Sequence, residues 1–249
     1  MGGPDYGMLD AYRQNIEDVR IKPRSREEFI KNWADRTGTS FEVAWHNFCT
    51  NDMASAFFAV DPRRQNQHEK IAADWISKLP GVKNFRKLPA SGPNSKYLKD
   101  GRIIDHDDLT NDENPKSIDF IWELEFNGTD SLKFYASHKH TEDDGGSQDN
   151  QYRELKGFTQ QAAGLRKERS YRLISLADGH YYQRERARSS GKSYMDELKE
   201  IVSQTDYAEA MACSDLPTYL IGQIVGMHDR KGIAMPADVL ALIDQMQVY

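Results

Sequence analysis

Cysteine is scarce: the 249 residues contain two, Cys49 and Cys213. Two thiols so far apart in the chain cannot staple a small secreted scaffold or build a four-cysteine zinc site, so a cytoplasmic, reducing compartment is expected. Long apolar runs are also missing. Nothing approaches the ~20 residues that cross a bilayer, and Met1 to Asp10 lacks the basic and apolar halves of a secretory signal. No membrane association is expected. Positive charge is not in excess either, since 33 Lys+Arg stand against 39 Asp+Glu for a formal net charge of −6. That balance excludes a protein that coats nucleic acid by charge alone. It leaves room for one that reads DNA through a local basic surface. The glycine-rich phosphate loop and the catalytic-serine elbow have no match.

What is present suffices for a packed core: 38% hydrophobic residues, with Trp 4, Tyr 12 and Phe 10. The expected division is a helical N-terminal region over 1–66, with DNA recognition as one reading of it, and an α/β core over 67–249 carrying further helices at its C-terminal end. Helical runs are read at Arg26 to Trp33 and Phe41 to Phe48, the second capped by Ser40. Two helices around a Gly-containing turn suit a DNA-reading helix-turn-helix, though ordinary packed helices share the pattern. Ile71, Trp75 and Leu79 mark one face of a helix from Gln67 to Leu79. Pro80 to Pro115 reads as a long polar loop with at most a short strand at Arg102 to Ile104.

From Lys116 the text becomes specific. Ser117 to Phe126 and Leu132 to His140 are rich in β-branched and aromatic residues and read as a hairpin turning at Asn127-Gly128. An acidic Gly-Gly loop follows, then a helix from Ser147 to about Leu165 with Leu155, Phe158, Ala162 and Leu165 as its apolar stripe. Tyr171 to Leu176 is a third strand, closed by Asp178-Gly179. Helices are expected at Ser193 to Val202, around Tyr207 to Met211, and at Ala237 to Met246.

On a strand, residues two apart share a face, so Ser137 and Lys139 project together, with Asp119 on the preceding strand. An Asp near a strand end, an x-x-Lys on the next antiparallel strand and a following helix resemble the PD-(D/E)XK nucleases over about Lys116 to Gly179. Ser137 stands where that pattern usually has an acid. Lys-Ser-Ile-Asp-Phe, Lys-His-Thr, Gly-Gly-Ser-Gln-Asp-Asn-Gln and Leu-Ala-Asp-Gly-His-Tyr-Tyr are similar to a group of Type II restriction endonucleases in which the missing carboxylate comes from the next helix. The resemblance makes Glu154 that migrated acid, with Asn150 and Gln151 one turn before it. It implies a restriction-endonuclease-like fold, with a mixed central sheet flanked by helices.

The resemblance also implies Mg²⁺ held by Asp119, Glu154 and the His138 backbone carbonyl. Lys139 would act on the attacking water, Ser137 would complete the site, and Gln151 would bond the lysine or the DNA backbone. The expected activity is sequence-specific cleavage of double-stranded DNA leaving 5′-phosphate and 3′-hydroxyl ends, by a homodimer or tetramer. A repair or phage nuclease of the same fold and an inactive DNA-binding module are the alternatives.

Several residues compete. Glu142, Asp143, Asp144 and Asp149 rival Glu154, and Glu69 is a possible extra acid. His138-x-His140 with His106 or His180 would make a transition-metal site on the opposite strand face. DNA contacts are expected from Asn94, Lys96 and Asn150, and from the basic stretch with Arg166, Lys167, Arg169, Arg172, Arg184, Arg186, Arg188 and Lys192, interleaved with Tyr181 and Tyr182. Lys83, Lys87 and Lys99 extend the earlier group. One condition is strict: a two-residue turn at Asn127-Gly128 would set Asp119 opposite Ala136, on the wrong face, so the site demands a register pairing Asp119 with Ser137.

Overall fold

A computed structural model describes residues 2–59, 66–109, 115–125, 131–142, 146–165, 170–185, 191–231 and 234–248, with the backbone alone at 146–148 and 230–231. The chain divides into two compact units, one of Asp5–Lys70 and one of Met1–Pro4 with Ile71–Tyr249.

In the first unit, α1 (Leu9–Ile21), α2 (Glu27–Thr37), α3 (Phe41–Thr50) and α4 (Asp52–Phe58) surround Val19, Ile30, Ala34, Ala44, Phe48 and Phe58. Gly38 ends α2 at φ 70°, a conformation that glycine reaches without Cβ strain. The Ser40 hydroxyl accepts from the Val43 amide and starts α3. The exposed side of α3 carries Glu42, Val43, His46 and Asn47, without the Lys or Arg that would set a recognition helix against phosphates.

The boundary between the units runs through α5 (Gln67–Ser77). Its buried face is Ala72, Ala73 and Ile76, whereas Ile71 and Trp75 are half-exposed. Of the expected 71/75/79 stripe Leu79 is buried, while its first two members stand at the edge of the packed face.

The second unit is α/β. Its five-stranded sheet has the order β1-β5-β6-β7-β8, from β1 (Val82–Lys87), β5 (Phe120–Glu125), β6 (Ser131–His140), β7 (Tyr171–Asp178) and β8 (Ala208–Met211). The first three run antiparallel to their neighbours, and β6, β7 and β8 run parallel. A parallel step needs a crossover, and α6 (Gly146–Ala162) supplies it between β6 and β7. Tyr152, Leu155, Phe158 and Ala162 of α6 bury against Ile121, Tyr135, Leu173 and Ala177 of the sheet, together with Leu198 of α8 (Tyr194–Val202). On the opposite face Trp122 stacks on Phe134 at 5.2 Å, and Phe134 meets Tyr219 of α9 (Leu216–Lys231) edge-on. Both faces are covered, which suits the continuous apolar runs of β5 and β7. α7 (His180–Gln183) and α10 (Ala237–Val248) complete the helices among the described residues.

Two expectations give way here, and one helix was not expected. Pro80 to Pro115 is not one long loop, because besides the short strand expected at Arg102 to Ile104 it holds two more, giving β1, β2 (Lys96–Lys99) and β3 (Arg102–Asp105). The last two join β4 (Lys116–Ser117) in a second sheet of order β3-β2-β4. Asp100 and Gly101 both have positive φ, 49° and 72°, the two-residue turn that suits strand twist. A side chain at Gly101 would lie 2.6 Å from the Leu165 amide, so this turn is pressed against the end of α6. Ala208 to Met211 is a strand rather than a helix, since pairing with β7 outweighs the helix preference of Ala-Glu-Ala. α9, which the sequence reading did not resolve, buries Leu216, Leu220 and Ile224 at helical spacing despite Gly222 and Gly226.

Candidate active site

The β5–β6 ladder runs from Glu125↔Ser131 to Phe120↔Ala136. That is the register the site demands, and it places Asp119 one step beyond the ladder, beside Ser137. The turn at Asn127-Gly128 lies outside the described residues. Asp119 is buried, and its Oδ2 accepts from the Ser137 hydroxyl at 2.9 Å and the His138 amide at 2.8 Å. Hydrogen bonds of this kind are what a buried carboxylate requires. Oδ1 accepts none among the described residues.

Alternation along β6 turns Tyr135, Ser137 and Lys139 toward α6, and Phe134, His138 and His140 to the other face. Lys139 Nζ stands 4.0 Å from Asp119 Oδ2 and 3.7 Å from Glu154 Oε2. A strand end, the adjacent strand and the crossover helix thus bring two carboxylates to one ammonium. Glu154 is largely exposed and Lys139 mostly covered, so the group opens to solvent on the helix side.

The donors here are hard oxygens, which Mg²⁺ prefers. The single lysine cation offsets only one of the two acids, so the group keeps an excess negative charge for a divalent ion, and one Asp119 oxygen accepts no hydrogen bond among the described residues. The residues fit such an ion.

Gln151 does not reach the lysine. Its Oε1 accepts from the Thr141 hydroxyl at 2.8 Å, tying α6 to the end of β6. Asn150 is exposed on the first turns of α6. Of the competing acids, Glu142 is paired to His140 at 2.9 Å and Asp149 accepts from the Tyr181 hydroxyl at 2.8 Å. Asp143 and Asp144 lie outside the described residues, and Glu69 belongs to the Asp5–Lys70 unit.

Of the expected DNA-contact residues, Asn94 is exposed at φ 69°, Arg184 is exposed, and Lys96 is ion-paired to Asp105. Lys83 and Lys87 are exposed on β1, Lys99 is half-buried, and Lys192 pairs with Glu200 at 2.7 Å. Arg166, Lys167, Arg169, Arg186 and Arg188 lie outside the described residues. Arg172, Tyr181 and Tyr182 are buried, which removes them from any DNA surface. The Arg172 guanidinium packs 5.0 Å from the Tyr207 ring centre and bonds Gln223, and Tyr181 stacks on Tyr194. Burial pushes the Tyr181 and Tyr182 hydroxyls above their ordinary range, so both stay protonated, and Tyr181 donates to Asp149.

The histidine pair does not form its own metal site. His138 Nε2 is 3.1 Å from Asp178 Oδ2, while His140 faces Glu142, and burial lowers the His140 pKa against the opposing pull of that acid. Neither His106 nor His180 joins them in a metal-ligand group among the described residues. Sequence reasoning missed Asp178 as a side-chain partner. Its one signal was position, as the last residue of a strand beside His140.

No family model, curated protein or solved structure matches the chain.

Proposed function

We propose that the chain is a Mg²⁺-dependent endonuclease with a restriction-endonuclease-like core, cutting double-stranded DNA at specific sequences. One observation carries the reading: Asp119 and Glu154, from a strand end and the crossover helix, converge on Lys139 of the strand between them. The antiparallel hairpin, crossover helix and parallel third strand supply the order of elements that the Asp and Ser-x-Lys spacing led us to expect. No helix of the described residues is long and apolar enough to cross a membrane.

Phosphodiester hydrolysis needs a water aimed at phosphorus and compensation for charge that grows on the phosphate and leaving oxygens. Bound by Asp119, Glu154 and the His138 carbonyl, Mg²⁺ would supply a polarised water and that compensation. Lys139 holds a proton at Nζ, orients the water and offsets phosphate charge. Ser137 and the His138 amide fix Asp119 through Oδ2, leaving Oδ1 without a hydrogen bond among the described residues. Glu154, exposed on α6, is the side that DNA reaches.

Incubation with DNA of known sequence and Mg²⁺, followed by mapping of fragment ends, tests the proposal. Discrete ends bearing 5′-phosphate are expected. Asp119→Ala and Glu154→Ala should abolish cleavage without unfolding, and Lys139→Ala should reduce it by orders of magnitude while DNA binding persists. Normal cutting by Glu154→Ala alongside loss in Glu142→Ala would move the second carboxylate. Binding without any cutting would favour an inactive DNA-binding module. A palindromic target would call for a two-fold dimer, readable by sedimentation.

A further inference from the structure

On the sheet face away from Lys139, the carboxyl ends of three parallel strands gather another set of side chains. His138 comes from β6, Asp178 is the last residue of β7, and Cys213 follows β8 by two residues. All three are buried, Cys213 completely. An imidazole nitrogen, a carboxylate oxygen and a thiol sulfur lie within 4.8 Å of one another, the one such group among the described residues. His138 Nε2 and Asp178 Oδ2 stand 3.1 Å apart, and Asp178 Oδ1 accepts the Cys213 amide at 2.8 Å.

We propose that His138, Asp178 and Cys213 form a second, thiolate-containing metal site for a borderline-soft divalent ion of the Zn²⁺ class. The proposal does not depend on the nuclease reading. Ligand atoms sharing one four-coordinate ion stand roughly 3.3–3.8 Å apart for Zn–N and Zn–O near 2.1 Å and Zn–S near 2.3 Å. The histidine and aspartate atoms, 3.1 Å apart in a hydrogen bond, need to part only slightly, and all three ligand atoms already lie within 4.8 Å of one another.

Charge supports the same ion. A carboxylate and a thiolate are two negative charges beside a neutral imidazole, so a divalent cation leaves the buried group neutral, whereas a buried carboxylate alone is costly. On binding, the ion takes the place between His138 Nε2 and Asp178 Oδ2, the imidazole proton resides on Nδ1, and the thiol gives its proton to solvent. The amide contact to Asp178 is the outer-shell hydrogen bond that orients a ligating carboxylate. Three protein ligands leave the fourth position to water.

The set differs from the oxygen-only group at Asp119 and Glu154 in the metal it selects, since thiolate and imidazole suit Zn²⁺ while carboxylates and carbonyls suit Mg²⁺. The two are joined at one residue. The amide of His138 holds Asp119, and its side chain would hold the second ion, which would brace the Asp119 strand from behind.

The test uses the full chain produced in zinc-supplemented medium, with elemental analysis, and the same chain refolded from denaturant with Co²⁺. One zinc per chain and a thiolate-to-cobalt charge-transfer band are expected. Both should persist in Cys49→Ser and vanish in Cys213→Ser and in Asp178→Asn. Wild-type chain that carries no zinc and shows no thiolate–cobalt band overturns the proposal. So does a band that survives Cys213→Ser and disappears with Cys49→Ser. Because the wild-type result alone can refute the site, a variant that fails to fold leaves the test intact.

Discussion

At Asp119 two hydrogen-bond donors and the Lys139 ammonium all address one oxygen, Oδ2. Removing the smallest of them is informative: Ser137→Ala should cost about 1.5 kcal/mol in urea unfolding, the low end of what a hydroxyl bond to a charged carboxylate is worth. The backbone amide keeps the carboxylate satisfied. His138→Ala is different, because Asp178 Oδ2 then loses its buried partner. A cost of about 3 kcal/mol is expected there, and a loss no larger than that of Ser137→Ala would refute the pairing. These residues were legible to different degrees. Strand alternation fixes the face of Ser137 and Lys139 from sequence alone, and Glu154 follows from its place on the next helix. The partner of Gln151 did not follow. Helical spacing says which side chains share a face, but what stands across from them is decided by the end of β6. Arg172 misled for a related reason: a cation in a basic stretch reads as surface until a Gln and a tyrosine ring from distant elements are found around it.

At the scale of elements, caps and turns carry testable energy. The Ser193 hydroxyl accepts from the Asp196 amide, and the Asp196 carboxylate accepts from the Ser193 backbone, a reciprocal cap on α8. Ser193→Ala should cost about 1 kcal/mol at neutral pH. The cap holds the Asp196 carboxyl below its ordinary range. Its contribution is therefore present above the unfolded-state pKa and lost as pH falls through the lower folded value. Denaturation midpoints of wild type and Asp196→Asn should draw together in strong acid, and an undiminished gap there would count against the carboxylate's share. Gly179, at φ 96°, leaves no room for a methyl group, since a Cβ would stand 2.2 Å from the Thr141 carbonyl oxygen. Gly179→Ala should destabilise by about 2 kcal/mol or more, from overpacking and backbone strain together, measured by thermal unfolding. The missed elements share a cause. β8 is built of helix-forming residues but lies beside a parallel strand, and α9 contains glycines that its burial outweighs. Composition ranked these segments by local preference, and tertiary contacts decided them otherwise.

For the whole molecule, the stretch Ile71–Tyr249 contains both proposed ligand groups and its own core. A fragment beginning at Asn66 should fold with a single cooperative thermal transition, and a broad, non-cooperative melt would show that this unit cannot stand alone. The pairing of strands also orders events in time. β5 and β6 join across residues 126–130, a short closure, whereas Lys133↔Tyr171 must wait until all of α6 has been placed. Contacts between distant parts of a chain form late because their closure entropy is met before they are rewarded. Asp119, Ser137 and Lys139 belong to the early hairpin, while Glu154 and Asp178 arrive with the crossover and the third strand. Pulse-labelled hydrogen exchange during refolding should protect the β5–β6 amides before those of β7, so that a newly made chain passes through a stage holding only part of each proposed ligand set and able to use neither.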